Sequence, residues 1–272
     1  MKKVFVSAND ALTAKLVEEA GFDGIWVSGF EVSSSLLLVD NGVITHTELV
    51  NVTKTITDAT KLPVVVDCDS GGSIHQAIRL AKELVKVGAW GMCIEDNPLN
   101  KTNSLWEAKT VLASKEEHGA KIKAIKKYAP GIKVIARTEA LIRHLGMAEA
   151  LLRAEYYVDC GADLVVIHSR ETTGKEALSI PGYWKLKVPL VCIPTKFPHI
   201  NNNELFDAGF SMSIWANQVL RTKILAVRNM LKELKKTDSA VNIEKSFSVS
   251  LDDLRSLTPV KEAESIDKEF GL

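Results

Sequence analysis

The sequence predicts an α/β fold, a (β/α)₈ barrel of the TIM type, on three observations. Eight short apolar runs recur along 272 residues, helical patterns lie between most of them, and several helices are followed by Gly just before the next run. Short apolar runs bounded by turn residues read as buried strands, and eight strand–helix units at this length match the usual size of one barrel. An open doubly wound sheet is the alternative, but no G-x-G-x-x-G follows the first strand.

In chain order the strands are KVFVSA near residue 3, GIWVS at 24, PVVVDCD at 63, GMCIED at 91, IKVIART at 132, DLVVIHS at 163, VPLVCIP at 188 and FSMSIWA at 210. Helical periodicity is clear over Ile74–Val87 and Met147–Cys160. Gly21, Gly88, Gly161 and Gly209 stand where a left-handed C-terminal cap is needed. Two insertions, 29–48 and 96–115, follow strands two and four, and long loops after barrel strands usually build or cover a site. A long helix is expected over Ala216–Lys235. The polar tail from about Thr237 holds one expected helix near Leu251–Leu257, so the chain reads as a single barrel domain, 1–272, with 237–272 as a C-terminal helical extension.

Composition removes several functions. Lys plus Arg equals Asp plus Glu at 34 each, which leaves no basic field to attract nucleic acid or an anionic membrane. No apolar run is long enough for a membrane span, and the N-terminal run is too short for a signal peptide. Cys68, Cys93, Cys160 and Cys192 show no C-x-x-C spacing and read as small buried hydrophobes in a reducing cytoplasm.

A closed barrel brings the C-terminal ends of its strands to one mouth. Those ends carry Trp26 and Ser28, Asp67 and Asp69, Glu95 and Asp96, Arg137 and Glu139, His168 and Ser169, Thr195 and Lys196, and Trp215 with Asn217. Period-two alternation would put Asp67 and Asp69 on one side and Cys68 on the other. Alternatively, Asp67-Cys68-Asp69 is a capping turn with Asp69 or Ser70 as N-cap. Several carboxylates around one point repel unless a cation lies between them, and hard oxygen ligands favour Mg²⁺, or Mn²⁺ in its place. Arg137 suits either an ion pair with Glu139 or phosphoryl oxygens. The loop after strand four adds Lys101, Asn103 and Ser104, which suit an anionic substrate. Gly71-Gly72-Ser73 opens a helix without the Lys of a P-loop, and no G-x-S-x-G elbow is present.

The segments GIWVSGF, DCDSGG, EDNPLNKTNS, IARTEA, VVIHSR, IPTKF and SIWANQ, with Asp40 closing its loop, together resemble the phosphoenolpyruvate mutase family of the isocitrate lyase/PEP mutase superfamily. The resemblance runs from about Ser7 to about Arg221. It implies Mg²⁺ bound directly by Asp67, with Asp40, Asp69 and Glu95 holding its waters. It also implies that backbone N–H groups of Ser28, Gly29 and Phe30 receive the substrate carboxylate, with Trp26 lining the pocket. Arg137, His168 and Asn103 would contact the phosphoryl group, and Lys101 and Ser104 would lie on a gating loop. The implied reaction interconverts phosphoenolpyruvate and phosphonopyruvate, forming the C–P bond of phosphonate biosynthesis, in a homotetramer whose C-terminal helix is exchanged between subunits. The alternatives are phosphonopyruvate hydrolysis to pyruvate and phosphate, or a related 2-oxo acid hydrolase or lyase. Lyases of the group carry K-[KR]-C-G-H where this chain has Lys101-Thr102-Asn103-Ser104, and the hydrolase carries Thr at the position of Asn103. The chain departs from the mutase pattern at Asn97, where Lys is usual, and at Ser70–Ser73, where T-G-Y-G-N is usual.

Overall fold

The computed structural model describes residues 2–99 and 111–271. Its eight strands are β1 (Lys3–Ser7), β2 (Gly24–Val27), β3 (Val64–Asp67), β4 (Gly91–Glu95), β5 (Lys133–Thr138), β6 (Leu164–Ile167), β7 (Leu190–Cys192) and β8 (Met212–Trp215). They close in chain order into a parallel barrel, with β8 pairing back onto β1. The expected fold is therefore the observed one.

Helices follow the strands: α1 (Ala11–Glu19), α2 (Gly29–Ser35), α3 (His46–Ala59), α4 (Ile74–Lys86), α5 (Lys115–Tyr128), α6 (Gly146–Asp159), α7 (Lys175–Tyr183) and α8 (Asn202–Ala208). The glycines expected to end α1, α4, α6 and α8 do so at φ of 78°, 82°, 104° and 120°, for Gly21, Gly88, Gly161 and Gly209. At such angles a Cβ is strained, which is why glycine stands there. Inside the barrel, Phe5, Trp26, Val65, Cys93, Ile135, Val166, Val191 and Ile214 form a packed core beneath the mouth. A second cluster, including Ala150, Ala154, Ile167, Ile180, Phe197 and Leu205, joins the outer helices to the strands.

The residues divide into two compact units, Met1–Gln218 and Val219–Leu272. The second comprises most of α9 (Gln218–Thr237), with α10 (Val241–Ser246), α11 (Leu251–Ser256) and α12 (Val260–Phe270). The long helix starts two positions later than expected, and the tail carries three helices among the described residues where one was expected. In α12 the apolar residues Val260, Ala263, Ile266 and Phe270 are spaced by helical turns but diluted by six charged ones, which hid the periodicity.

His118 and Lys121 share the inward stripe of α5 with Ile122 and Ile125. His118 is buried edge-on to Tyr157, with ring centroids 4.6 Å apart. Burial, reinforced by the Lys121 and Arg153 charges, lowers its pKa from 6.5 to about 3. Between those values the unfolded chain binds a proton that the folded chain refuses, so stability falls as pH drops from 6.5 towards 3. One proton corresponds to about 1.4 kcal/mol per pH unit. Between pH 6.5 and 4.5, wild-type stability should therefore fall by about 2 kcal/mol more than that of His118→Leu. Urea unfolding at the two pH values measures this, and parallel losses would remove His118 as the cause.

Candidate active site

Strand β3 ends at Asp67, and the chain then turns sharply. Asp69 adopts φ 50°, followed by Gly71 at 71° and Gly72 at 76°. Aspartate tolerates the left-handed region better than most side chains. The turn is stitched to β4, where Glu95 N–H donates to Asp69 O at 2.8 Å and Cys68 N–H donates to Cys93 O at 2.9 Å. Buried Lys121 donates from α5 to Ser70 O at 3.2 Å.

Two sequence expectations change at this turn. The N-cap of α4 is Ser73, in a capping box with Gln76, so neither Asp69 nor Ser70 caps the helix. Asp69 is also not extended, so simple alternation does not orient it. The two acids meet through the turn and the neighbouring helix. A Cβ placed on Gly29, at the start of α2, would lie 3.5 Å from Asp69 Oδ1 and 3.9 Å from Asp67 Cγ. Gly29, Asp67 and Asp69 therefore share one corner of the mouth.

Ser28 caps α2 by accepting from Glu31 N–H at 3.3 Å. The next amides, at Gly29 and Phe30, belong to a first helical turn and have no acceptor within the helix. Trp26, 1% exposed, belongs to the packed floor below them. Asp40 is buried in the turn between α2 and α3.

Glu95 and Arg137 are direct register partners on β4 and β5, so their side chains leave the same side of the sheet. Arg137 Nε lies 3.3 Å from Glu95 Oε2 and makes a closer contact with Glu139 Oε1. His168, just beyond β6, places Nδ1 at 2.9 Å from Arg137 Nη2 and 2.8 Å from Glu139 Oε1. Burial opposes charge on Arg137, but Glu139, Glu95 and Asp67 outweigh it and hold the guanidinium firmly protonated. Burial and the Arg137 charge push His168 below its usual pKa, against Glu139, so its ring is neutral. A neutral ring either donates Nδ1–H to Glu139 or accepts at Nδ1 from Arg137; the second tautomer leaves Nε2–H as a donor.

Asp96 faces away from this group, as the residue after Glu95 must. Its carboxylate accepts from Thr138 Oγ1, Glu139 N–H and Tyr157 OH, each at 2.8 Å, and meets Arg153 Nη1 at 3.2 Å. Arg153 also donates to Ala113 O at 2.8 Å, while Ala113 N–H donates to Asp96 O at 2.9 Å. Asp96 is thus a structural knot behind the mouth that fixes the end of β5.

The sequence offered Glu139 as an ion-pair partner of Arg137, and the structure shows that pair; its further link to His168 is a finding of the structure. Asn97 stood out in the sequence only as a departure from the mutase pattern, and Arg143 was not expected at the site; the structure joins the two to Glu95. Lys101, Asn103 and Ser104 lie outside the described residues.

Among the described residues, no three His, Cys, Asp or Glu side chains converge closely enough to hold one metal ion between them. The acids at the mouth therefore do not form an all-protein cage. Their oxygen-only donor set, with Asp67 and Asp69 in one corner and the Asp67 charge reaching Arg137, suits a hard cation that keeps much of its water.

Fold and site together define a (β/α)₈ barrel with a carboxylate- and arginine-lined C-terminal mouth, the arrangement of an enzyme of this fold. The sequence model for phosphoenolpyruvate phosphomutase matches residues 2–235. The chain belongs to that family, within the isocitrate lyase/PEP mutase superfamily. It is 35% identical over 243 residues to the phosphoenolpyruvate phosphomutase of Tetrahymena pyriformis, covering 88% of this chain and 81% of the relative. It is 33% identical over 236 residues to the phosphonopyruvate hydrolase of Variovorax sp. (strain Pal2), covering 85% and 81%. The crystal structure of phosphoenolpyruvate phosphomutase from Streptomyces platensis subsp. rosaceus superposes with a TM-score of 0.97 at 35% identity, covering 100% of this chain and 96% of that one.

Proposed function

We propose that this protein is a Mg²⁺-dependent phosphoenolpyruvate mutase. The observation that carries the reading is the buried Arg137–Glu139–His168 group beside Glu95, with Asp67 and Asp69 nearby. In the reaction, the phosphoryl group leaves the enol oxygen of phosphoenolpyruvate and bonds to C3 of the same molecule. One O–P bond breaks and one C–P bond forms, with no redox change. The transition state resembles metaphosphate, so the protein's part is positioning, charge stabilisation and exclusion of water.

Asp67 would hold the metal directly, and Asp40, Asp69 and Glu95 would hold its waters; Mn²⁺ would serve in place of Mg²⁺. When bound, the metal neutralises the substrate's carboxylate and enolate oxygens. The amides of Ser28, Gly29 and Phe30 receive the carboxylate, above Trp26. Arg137 offers its planar donors to the phosphoryl oxygens, and His168 donates from Nε2 in the tautomer set by Arg137. Lys101, Asn103 and Ser104 complete the enclosure in this reading, which for them rests on the family resemblance. The phosphonate product places the enzyme at C–P bond formation.

The chain would act as one barrel domain, 1–272, with 237–272 as an extension exchanged between the subunits of a homotetramer. Leu225, Leu231, Leu254 and Phe270, exposed on the second unit, suit such a contact, and sedimentation should give the mass of four chains. No described helix is long and apolar enough to cross a membrane. The four cysteines are free and buried, which suits the reducing cytoplasm in which we place the enzyme.

A coupled assay separates the mutase from the hydrolase. With phosphonopyruvate and Mg²⁺, lactate dehydrogenase alone should detect no product, whereas adding pyruvate kinase and ADP should reveal phosphoenolpyruvate. Signal from lactate dehydrogenase alone would mean hydrolysis. Asn103→Ala should lower the mutase rate by about 10²-fold, the usual cost of losing one transition-state donor.

A further inference from the structure

Asn97 sits directly behind the mouth with no exposed surface. Its Nδ2 donates to Glu95 Oε1 at 2.8 Å, and its Oδ1 accepts from Arg143 Nη2 at 3.0 Å. Arg143 lies in the turn after β5, where its N–H donates to Glu139 O at 3.0 Å. The polarity of this amide is fixed. A carboxylate presents only acceptors and a guanidinium only donors, so the side chain fits between them in one orientation. Glu95 is then held from both sides, by Asn97 at Oε1 and by Arg137 at Oε2.

We infer that Asn97 and Arg143 form a relay that positions Glu95 towards the metal site. Arg137 carries a fork of donors, so a Glu95 released at Oε1 would turn both oxygens onto that guanidinium and away from the cation. Asn97 opposes this by holding one oxygen, and Arg143 makes Asn97 a stronger donor by polarising its amide. Residue 97 is where the chain departs from the Lys usual in the mutase pattern. Here residue 97 meets Glu95 with a neutral amide, and Arg143 stands behind that amide, while Arg137 pairs with Glu95 directly.

The relay rests on the proposed role of Glu95 in holding metal waters. Asn97 is a positioning residue, since it acts through Glu95. Partners at this remove from a metal typically change affinity 10–100-fold.

Titrating the full-length chain with Mn²⁺, read by electron paramagnetic resonance without substrate, tests this directly. Asn97→Ala should weaken Mn²⁺ binding about tenfold or more. Arg143→Met should weaken it about threefold, and Arg143→Lys should stay near wild type. The double variant should be no weaker than Asn97→Ala alone, because both act through one hydrogen-bonded chain. Saturating metal should restore most of the lost turnover, which general loosening of the fold would not allow. Wild-type affinity in Asn97→Ala, or effects of the two substitutions that simply add, would overturn the relay. A wild type that takes up no Mn²⁺ would overturn both the relay and the metal site. If the proposed reaction alone is wrong, wild type will bind Mn²⁺ yet leave phosphonopyruvate untouched, and the Asn97 arm will still report on the relay.

Discussion

Arg137→Met should reduce mutase turnover by about 10³-fold, the largest effect expected of any single substitution in the described mouth. Two consequences combine in that figure. In the proposed reaction the phosphoryl group would lose a planar, permanently charged donor set. In addition, Glu95 and Glu139, both buried, lose the cation that offsets their charges. Arg137→Lys separates these consequences. It keeps the charge but loses the fork, so it should recover the stability of the fold more fully than the rate. Steady-state kinetics with thermal unfolding of the same preparations measures both. Wild-type turnover in Arg137→Met would exclude contact with the reacting group.

The largest effect on stability should come from Asp96→Ala. Its carboxylate is fully buried and receives Thr138, Glu139, Tyr157 and Arg153 at once. Burial raises its pKa, while the hydrogen bonds from Glu139 N–H, Tyr157 and Thr138 and the Arg153 charge work against that rise. Removing the acid leaves Arg153 uncompensated in the interior and frees two donors at the end of β5. Breaking a buried pair in this way costs about 3–5 kcal/mol. Asp96→Asn keeps an acceptor and the shape, so it should cost less, about 1–3 kcal/mol. Urea unfolding distinguishes them, and a loss below about 1 kcal/mol for Asp96→Ala would refute the knot.

Glu95 and Asp96 illustrate how far the sequence could be read. As neighbours at a strand end they looked like one acidic pair. Alternation sends Glu95 to Arg137 and Asp96 to Arg153 and Tyr157, so one acid belongs to the mouth and the other to the framework behind it. The barrel itself was legible because each strand is a short apolar run and each glycine cap follows its helix. The mouth was legible because strand ends must converge, which located Asp67, Glu95, Arg137 and His168 without any contact being known. Links made by side chains across strands were not legible. Nothing in the spacing of Glu139 and His168, or of Asn97 and Arg143, announces that they touch. Lys121 and His118 left a fainter signal, as polar residues on the inward stripe of α5. The tail helices were largely lost among charges, as in α12, where six charged residues dilute Val260, Ala263, Ile266 and Phe270.

Holding Mg²⁺, this mouth is proposed to move a phosphoryl group between oxygen and carbon. The most direct measurement is the ³¹P NMR spectrum of phosphonopyruvate incubated with the purified protein, with Mg²⁺ and after chelation. With Mg²⁺ the phosphonate resonance should give way to the phosphate-ester resonance of phosphoenolpyruvate, and under chelation it should persist. An unchanged phosphonate resonance with Mg²⁺, or its replacement by inorganic phosphate alone, would contradict the proposed reaction.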